Sequence, residues 1–474
     1  MDKIAKGFMW SGIERFSIQG IGFLLSIIIA RLISPSSYGL IVMIQVFLSF
    51  SQLFIDGGFA NALIQKKERT AIDYYTVFIF NLVVAVFFYI LFFITAPYIA
   101  DFYNEPQLTS LTRFVSLGLI ISSLSIVQRS RLTIELDFKT QTKAGISSVI
   151  ISGAIGVICA YSGMEVWALA VQGLVSQLVI TISLMYLSHW TPKLQFSTDS
   201  FKKMFSFGSK LMANNLITGI YINLANLIIG KKYSSADLAF YNRGFTLTQF
   251  PSVNIAEVMN RIIFPILSKR QDDKEMLIDD YLKYLHLTNY IILPMMGLLV
   301  VLAHPLIEIL LTEKWLPAVP YIQIYSINFM LYAFIQQSTN PIAAIGHSGV
   351  ILKYQFVKRF ISLILLLITV GISVKAVCWG VVISSLFEVV VNQYVVKKEL
   401  VLGFYKQLSS QFDVIGAVLL SLVVVYVWTL MVSSAYLQLF VGVILGFSVY
   451  LIVTFIFRLH EREMLQSLYK KIII

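Results

Sequence analysis

Y-Y-T-V-F-I-F-N-L-V-V-A-V-F-F-Y-I-L-F-F-I-T-A-P-Y-I-A-D-F-Y-N-E-P-Q-L, residues 74–108, carries no charged side chain until Asp101. A helix crossing roughly 30 Å of hydrocarbon needs about 20 mainly apolar residues in a row. This stretch supplies them with a margin. Runs of the same kind recur on both sides of it. They predict helices at 7–31, 38–64, 74–99, 108–128, 144–161 and 166–188, then at 205–229, 238–266, 285–310 and 320–345. Four more follow at 354–374, 377–396, 412–432 and 436–458. The expected fold is therefore an all-α integral membrane protein with about fourteen transmembrane helices.

Composition agrees. The chain is 58% hydrophobic and 13% charged, with a mean hydropathy of +0.80. A soluble domain keeps roughly a quarter of its residues charged, so much of the polar surface is missing and only a lipid-facing surface accounts for it. The net charge of +11 does not point to nucleic acid, because the basic residues sit in short loops between apolar runs. With the N-terminus inside, Lys66, Lys67, Arg69, Arg129, Arg131, Lys139 and Lys143 fall on the inner side, as do most others. Only Arg31, Lys231, Lys232, Lys314 and Lys375 fall outside. This positive-inside asymmetry predicts an even number of spans and two cytoplasmic termini. The apolar run from Gly7 to Ile33 is too long for a signal peptide and lacks an A-x-A site, so it is expected to remain as the first helix. Cys159 and Cys378 fall inside apolar runs and are expected to be core thiols.

A weak internal repeat sets the expected domains. Ile29–Leu40 turns through S-P-S-S-Y-G-L and parallels Ile229–Ala239, which turns through Y-S-S-A-D-L-A. The stretch from Ala96, A-P-Y-I-A-D-F-Y-N-E-P-Q-L, echoes A-H-P-L-I-E-I-L-L-T-E-K-W-L-P-A from Ala303. The expected organisation is a first lobe over 1–190, a connector over 191–204, a second lobe over 205–396, and two further helices with a tail over 397–474. A parallel repeat suits lobes that rock about a central substrate site.

Polar side chains inside a span cost about 2.5–3.5 kcal/mol each on insertion scales, so their pattern carries information. Arg15, Gln19, Gly22 and Ser26 share one face of helix 1, and Gln45, Ser49, Gln52 and Asp56 share one face of helix 2. Helix 7 carries Lys210, Asn214, Thr218 and Tyr221 on one stripe, with Asn215 and Asn226 on another. Helix 8 carries Asn242, Arg243, Thr246, Gln249, Glu257, Asn260 and Arg261 around Pro251. These leading helices of each lobe are expected to enclose a wet cavity, lined by Arg15, Gln19, Gln52, Asp56, Lys210, Asn214, Asn242, Arg243, Gln249 and Arg261. Counting Arg113 as well, cations outnumber Glu14, Asp56 and Glu257. That excess favours an anionic cargo, and guanidinium groups suit phosphate. Plainer readings stand beside this one. Glu257 and Arg261 are spaced to pair within their helix, Asp56 is placed to cap helix 2, and Arg31 and Lys358 are expected to snorkel to headgroups. Helices 11, 13 and 14 are almost purely apolar and are expected to face lipid.

Enzyme chemistry leaves no mark. The chain has no H-E-x-x-H, no Cys/His cluster for a metal, and no P-loop G-x-x-x-x-G-K-[ST]. No cofactor is expected, and a coupling ion, H+ or Na+, stays open. A membrane glycan polymerase or ligase would need acidic or His residues on a sizeable outer loop, and the outer loops are short.

Several stretches resemble a known family: I-A-R-L-I-S-P-S-S-Y-G-L (29–40), D-G-G-F-A-N-A-L-I-Q-K-K-E (56–68) and R-L-T-I-E-L-D-F (131–138) in the first half. In the second half they are F-Y-N-R-G (240–244), R-I-I-F-P-I-L-S-K-R-Q-D-D (261–273), E-K-W-L-P-A-V-P (313–320) and N-P-I-A-A-I-G (340–346). Together they resemble the Wzx-type polysaccharide flippases, especially the colanic acid and teichuronic acid exporter branch. These belong to the polysaccharide transporter family of the multidrug/oligosaccharidyl-lipid/polysaccharide exporter superfamily. The likeness runs from residue 1 to about 400. It implies two six-helix lobes in a V shape like that of the MATE drug antiporters, whose cation exchange is the alternative function within this fold. It implies a bacterial inner-membrane location and, as cargo, oligosaccharide linked through pyrophosphate to undecaprenol. Membrane lipids, a polysaccharide polymerase and glycosyltransferases of the same pathway are the implied partners. Arg15, Lys210 and Arg243 match the family's basic cavity residues. Asp56 and Gly58 match its D-x-G motif, and Glu313, Lys314, Trp315, Asn340 and Pro341 fall within its later motifs.

Overall fold

The computed structural model describes residues 3–456, except for the side chains of residues 3–9, 11–16, 213, 214, 217, 218, 220–222 and 348. All regular structure among the described residues is helical. The first helices are α1 (Lys3–Leu32), α2 (Pro35–Asp56), α3 (Phe59–Gln65), α4 (Ala71–Tyr103), α5 (Leu108–Val115), α6 (Leu117–Ser123) and α7 (Ile126–Ile134). Then come α8 (Phe138–Tyr161), α9 (Val166–Ser188), α10 (Thr198–Lys232), α11 (Ser235–Lys269) and α12 (Lys274–Leu311). A 3-10 turn at Glu313–Ala318 leads to α13 (Val319–Met330), α14 (Tyr332–Gln337), α15 (Thr339–Ala344) and α16 (Ser348–Thr369). The described residues end with α17 (Val374–Leu400), α18 (Phe404–Ser409), α19 (Phe412–Met431) and α20 (Ala435–Ile456).

Among the described residues every predicted run is helical, with breaks inside those at 38–64, 108–128 and 320–345, and several extend beyond their apolar part. Asp73 shows how such an end is fixed. Its carboxylate accepts from the Thr70 backbone N–H at 2.8 Å and from the Lys66 ammonium at 2.6 Å, starting α4 ahead of its apolar run. Asp273 caps α12 by accepting from the Met276 N–H at 3.0 Å, so the stretch read as a connection over 267–284 is largely helix. Among the described residues, ten stretches are long and apolar enough to cross a membrane by length and composition. The remaining long helices are α1, α10, α11 and α16, and the first three carry the polar stripes on helices 1, 7 and 8.

The chain divides into two compact units, Met1–Ala239 and Phe240–Ile474. In the first, α8 lies against α9 and α1, and α10 runs beside α2, α3 and α4. The segment after residue 190 thus folds onto the helices before it. In the second unit α12 is central, touching α13, α14, α19 and α20. The spans containing α12 and α13–α15 are 56% buried, against 22% for α20, which sets the inner helices apart from the outer ones. Bare apolar side chains cover the outer ones, including Phe360 and Leu367 on α16, Val423 on α19 and Phe440 on α20. In water a surface this apolar would be a liability. In lipid it is solvated.

The repeated turns are built alike. Ser34 caps α2, its hydroxyl accepting from the Ser37 N–H at 3.3 Å, and Ser234 accepts from the Asp237 N–H at 3.1 Å where α11 begins. The two turns meet, since a side chain at Gly39 would collide with the Ser235 carbonyl. In α4 and α12 a proline, Pro97 or Pro305, precedes an end marked by a residue with positive φ, Asn104 at 56° or Thr312 at 75°. The spans at 108–134 and 319–344 are each broken into three helical pieces. Ser125 and Ser338 at these breaks turn their hydroxyls back onto the Ser122 and Phe334 carbonyls, a bond that bends helices.

Candidate functional site

In the first unit a chamber of about 550 Å³ opens beside the break between α2 and α3. Its walls come from α2 (Gln52, Leu53, Asp56), α3 (Asn61), α6 and α7 (Ser122, Arg129, Thr133), α9 (Gln177) and α10 (Asn215). The polar stripe on helix 2 faces it. Gln52 donates from Nε2 to Asp56 Oδ1 at 3.2 Å and accepts from the Ser122 hydroxyl at 3.4 Å. The Arg129 guanidinium is close enough for its charge to act on the Asp56 carboxylate. Among the described lining residues Arg129 and Asp56 are the charged pair, so the wall of this chamber is balanced in charge.

The D-G-G-F turn explains itself here. Gly57 and Gly58 have φ of 49° and 70°, a left-handed conformation that glycine adopts at little cost. The turn lets α10 come in at backbone distance. A methyl group on Gly208 would sit 2.8 Å from the Gly57 carbonyl oxygen, and one on Gly58 would sit 2.8 Å from the Gly208 Cα. Gly58 is therefore a contact residue that fixes one wall, while Asp56 and Gln52 present chemistry to the space.

The second unit treats its polar residues differently. Lys358, expected to snorkel, is instead 3% exposed and donates to Glu388 Oε1 at 2.7 Å and Asn392 Oδ1 at 3.0 Å. The reason is positional: Lys358 lies midway along α16, facing α17, and its ammonium finds a carboxylate one helix away rather than water. Asn392 donates on to the Ile335 carbonyl at 3.1 Å, and Gln393 to the Ser338 hydroxyl at 3.3 Å. Asn340 donates to Asn260 Oδ1 at 2.9 Å and to Gln337 Oε1 at 2.8 Å, with Pro341 buried beside it. Arg243 is 3% exposed and lies 5.5 Å from the ring of the fully buried Trp315, a cation–π contact that joins two of the sequence motifs.

The remaining expected site residues scatter. Gln52, Asp56 and Gly58 line the chamber together. Lys210 and Arg261 are exposed, and Asn242 and Gln249 are half-buried in α11. Gln19 is half-buried on α1. Glu313 and Lys314 open the 3-10 turn before α13. The side chains of Arg15 and Asn214 lie outside the described residues. Arg113, counted among the cavity cations, stacks 4.5 Å from the Phe93 ring and donates to the Phe93 carbonyl at 3.1 Å. Arg129 is the residue that sequence reading missed. The apolar run ends at residue 128, which assigns Arg129 to an inside loop, whereas α7 continues through Ile134. The signal was Q-R-S-R-L-T (128–133), which carries no glycine or proline to end the helix.

These features define an all-helical membrane protein of transporter type, with a polar chamber set among apolar spans. Residues 28–320 match the family model described as polysaccharide biosynthesis protein, and the chain belongs to that family. The resemblance to the Wzx-type flippases is thereby upheld. The chain is 23% identical to the lipopolysaccharide biosynthesis protein WzxC of Escherichia coli, over 86% of this chain and 83% of that one. It is 22% identical to the succinoglycan biosynthesis transport protein ExoT of Rhizobium meliloti, over 98% of this chain and 94% of the relative. Among solved structures, the inward closed conformation of the lipid II flippase MurJ superimposes with a TM-score of 0.78. That match covers 97% of this chain and 100% of MurJ at 16% identity, a likeness of fold.

Proposed function

We propose that this protein is a flippase that moves undecaprenyl-pyrophosphate-linked oligosaccharide across the bacterial inner membrane for surface polysaccharide synthesis. The observation that carries the reading is the chamber of Gln52, Asp56, Asn61, Gln177, Asn215 and Arg129 inside an otherwise apolar bundle. Amides, hydroxyls and a carboxylate hydrogen-bond sugar hydroxyls, and the planar fork of Arg129 matches two oxygens of a pyrophosphate. Membership of a polysaccharide biosynthesis family supports a glycan cargo, and the fold shared with a lipid II flippase supports a lipid-linked one. Fourteen spans, arranged as the two repeat-related lobes read from the sequence with both termini cytoplasmic, would place the chamber at the inner ends of α2 and α7. Cargo then loads from the cytoplasmic leaflet, and alternating access releases it on the other side.

The test uses the purified full chain in liposomes carrying a fluorescent undecaprenyl-pyrophosphate oligosaccharide. Time-dependent exposure of the label to an external quencher, above that of protein-free liposomes, is the expected result. No exposure above that background, under either a proton or a sodium gradient or neither, would remove the flippase reading.

A further inference from the structure

A second cavity in the first unit has a different character. It holds about 400 Å³ and is walled by Val46, Phe47 and Phe50 of α2, Phe88, Leu91 and Phe92 of α4, and Leu224 and Leu227 of α10, among others. That volume lies within the range of small-molecule sites, about 300–1,000 Å³. Its two polar residues are turned away from the space. The Ser51 hydroxyl donates to the Phe47 carbonyl at 3.0 Å, and the Asn223 amide donates to the Gly219 carbonyl at 3.0 Å. The lining that remains is aromatic and aliphatic. Phe50 and Leu91, at 37% and 39% exposed, mark where it opens outward.

The groove and the polar chamber share a wall. Leu53 lines the chamber and Gly219 lines the groove, and a methyl group on Gly219 would lie 2.6 Å from Leu53 Cδ1. The absent side chain at 219 keeps that threshold low. Along α2 the groove follows the chamber: Phe50 stands six residues before Asp56, about 9 Å at the helical rise of about 1.5 Å per residue. A polar space near a helix end, succeeded by an apolar one deeper in the bundle, has the order of a lipid in the leaflet: headgroup, then chain.

We infer that the α2–α4–α10 groove seats the first isoprene units of the carrier lipid while the pyrophosphate and sugars occupy the chamber. This rests on the flippase reading and names where the carrier is gripped. The branched, unsaturated chain of a polyprenol meets aromatic side chains at Phe47, Phe50, Phe88 and Phe92. The grip also gives a reason for selecting a polyprenyl carrier over a bulk phospholipid that shares only the phosphate. Leu53 against Gly219 then acts as a gauge, passing a single chain beneath it.

The experiment is photo-crosslinking on the full chain in liposomes, with a polyprenyl pyrophosphate carrying a diazirine in its second isoprene unit. A phosphatidylglycerol with an acyl-chain diazirine is the comparison probe. The expected result is labelling of peptides containing Phe50, Leu91 or Leu227, reduced at least tenfold by excess unlabelled polyprenyl pyrophosphate and not by excess phosphatidylglycerol. Gly219→Leu should lower this label at least fivefold, since the Cβ it adds meets the flexible end of Leu53 and no backbone; Leu53→Ala on that background should restore part of it. Equal labelling by both probes without competition would make the groove an ordinary acyl-chain site and overturn the inference. Competable labelling elsewhere, in protein that still flips, would also overturn it while leaving the flippase reading intact. Protein that neither flips nor shows competable label anywhere would fail both.

Discussion

The two units hold comparable polar residues inside apolar helices and use them in opposite ways. In the first, Gln52, Asp56 and Arg129 turn toward a chamber, with one amide–carboxylate bond at 3.2 Å among them. In the second, Lys358, Glu388 and Asn392 close on one another at 2.7 and 3.0 Å, and Asn340 is held by Asn260 and Gln337. An ionisable group within a span must find water, substrate or a partner. The first unit leaves that place open as a chamber, whereas the second fills it with protein. A polar residue in a membrane helix is therefore a functional candidate only once its partner is known.

The sharpest way to break this contrast is Glu388→Ala. It leaves the Lys358 ammonium with Asn392 and no counter-charge, and removing one partner of a buried pair costs about 3–5 kcal/mol. A markedly lower thermal midpoint in detergent is expected, recovered in large part by Lys358→Met added to it. Unchanged stability with lost transport would put Glu388 on the side of the chamber residues. A smaller loss is expected for Gly208→Leu, which forces a side chain onto the Gly57 and Gly58 backbone. Overpacking of this kind costs about 1–3 kcal/mol, and the same thermal scan reads it. If Gly208→Leu folds with wild-type stability, the close approach does not hold the chamber wall. The least change in stability belongs to Arg129→Gln, within about 0.5 kcal/mol because the residue is exposed. Its flipping rate in liposomes should fall at least tenfold, equivalent to about 1.4 kcal/mol, while Lys210→Gln stays nearer wild type. Equal loss in both would return the role of cation to helix 7.

Much of the molecule was legible in advance. Hydropathy placed every long helix, because a chain in lipid has to bury its backbone polarity within each span. The turns at Ser34 and Ser234 were visible as matching motifs, and each is held by a serine cap. The D-G-G-F turn was recognised as a motif, but its reason, contact with Gly208, came from a helix some 150 residues away, as the numbering shows. The polar stripe of helix 2 is expected from the sequence to face a cavity, and Gln52 and Asp56 line the chamber. Arg113, counted with the cavity cations, and Lys358, expected to snorkel, each meet a neighbour invisible at helical spacing: the Phe93 ring for one and Glu388 for the other.

What the sequence determined by itself is the solvent of this protein, the positions of its helices and the polar stripes along them. Periodicity encodes those, because they depend on residues three or four apart. Only the tertiary structure decided what each inward face meets. Arg129 joins Asp56 at the chamber, Arg243 lies against Trp315, and Lys358 locks onto Glu388. Those outcomes depend on which helix lies opposite, and a charge costs little or much in lipid according to that partner, not to its own place in the chain.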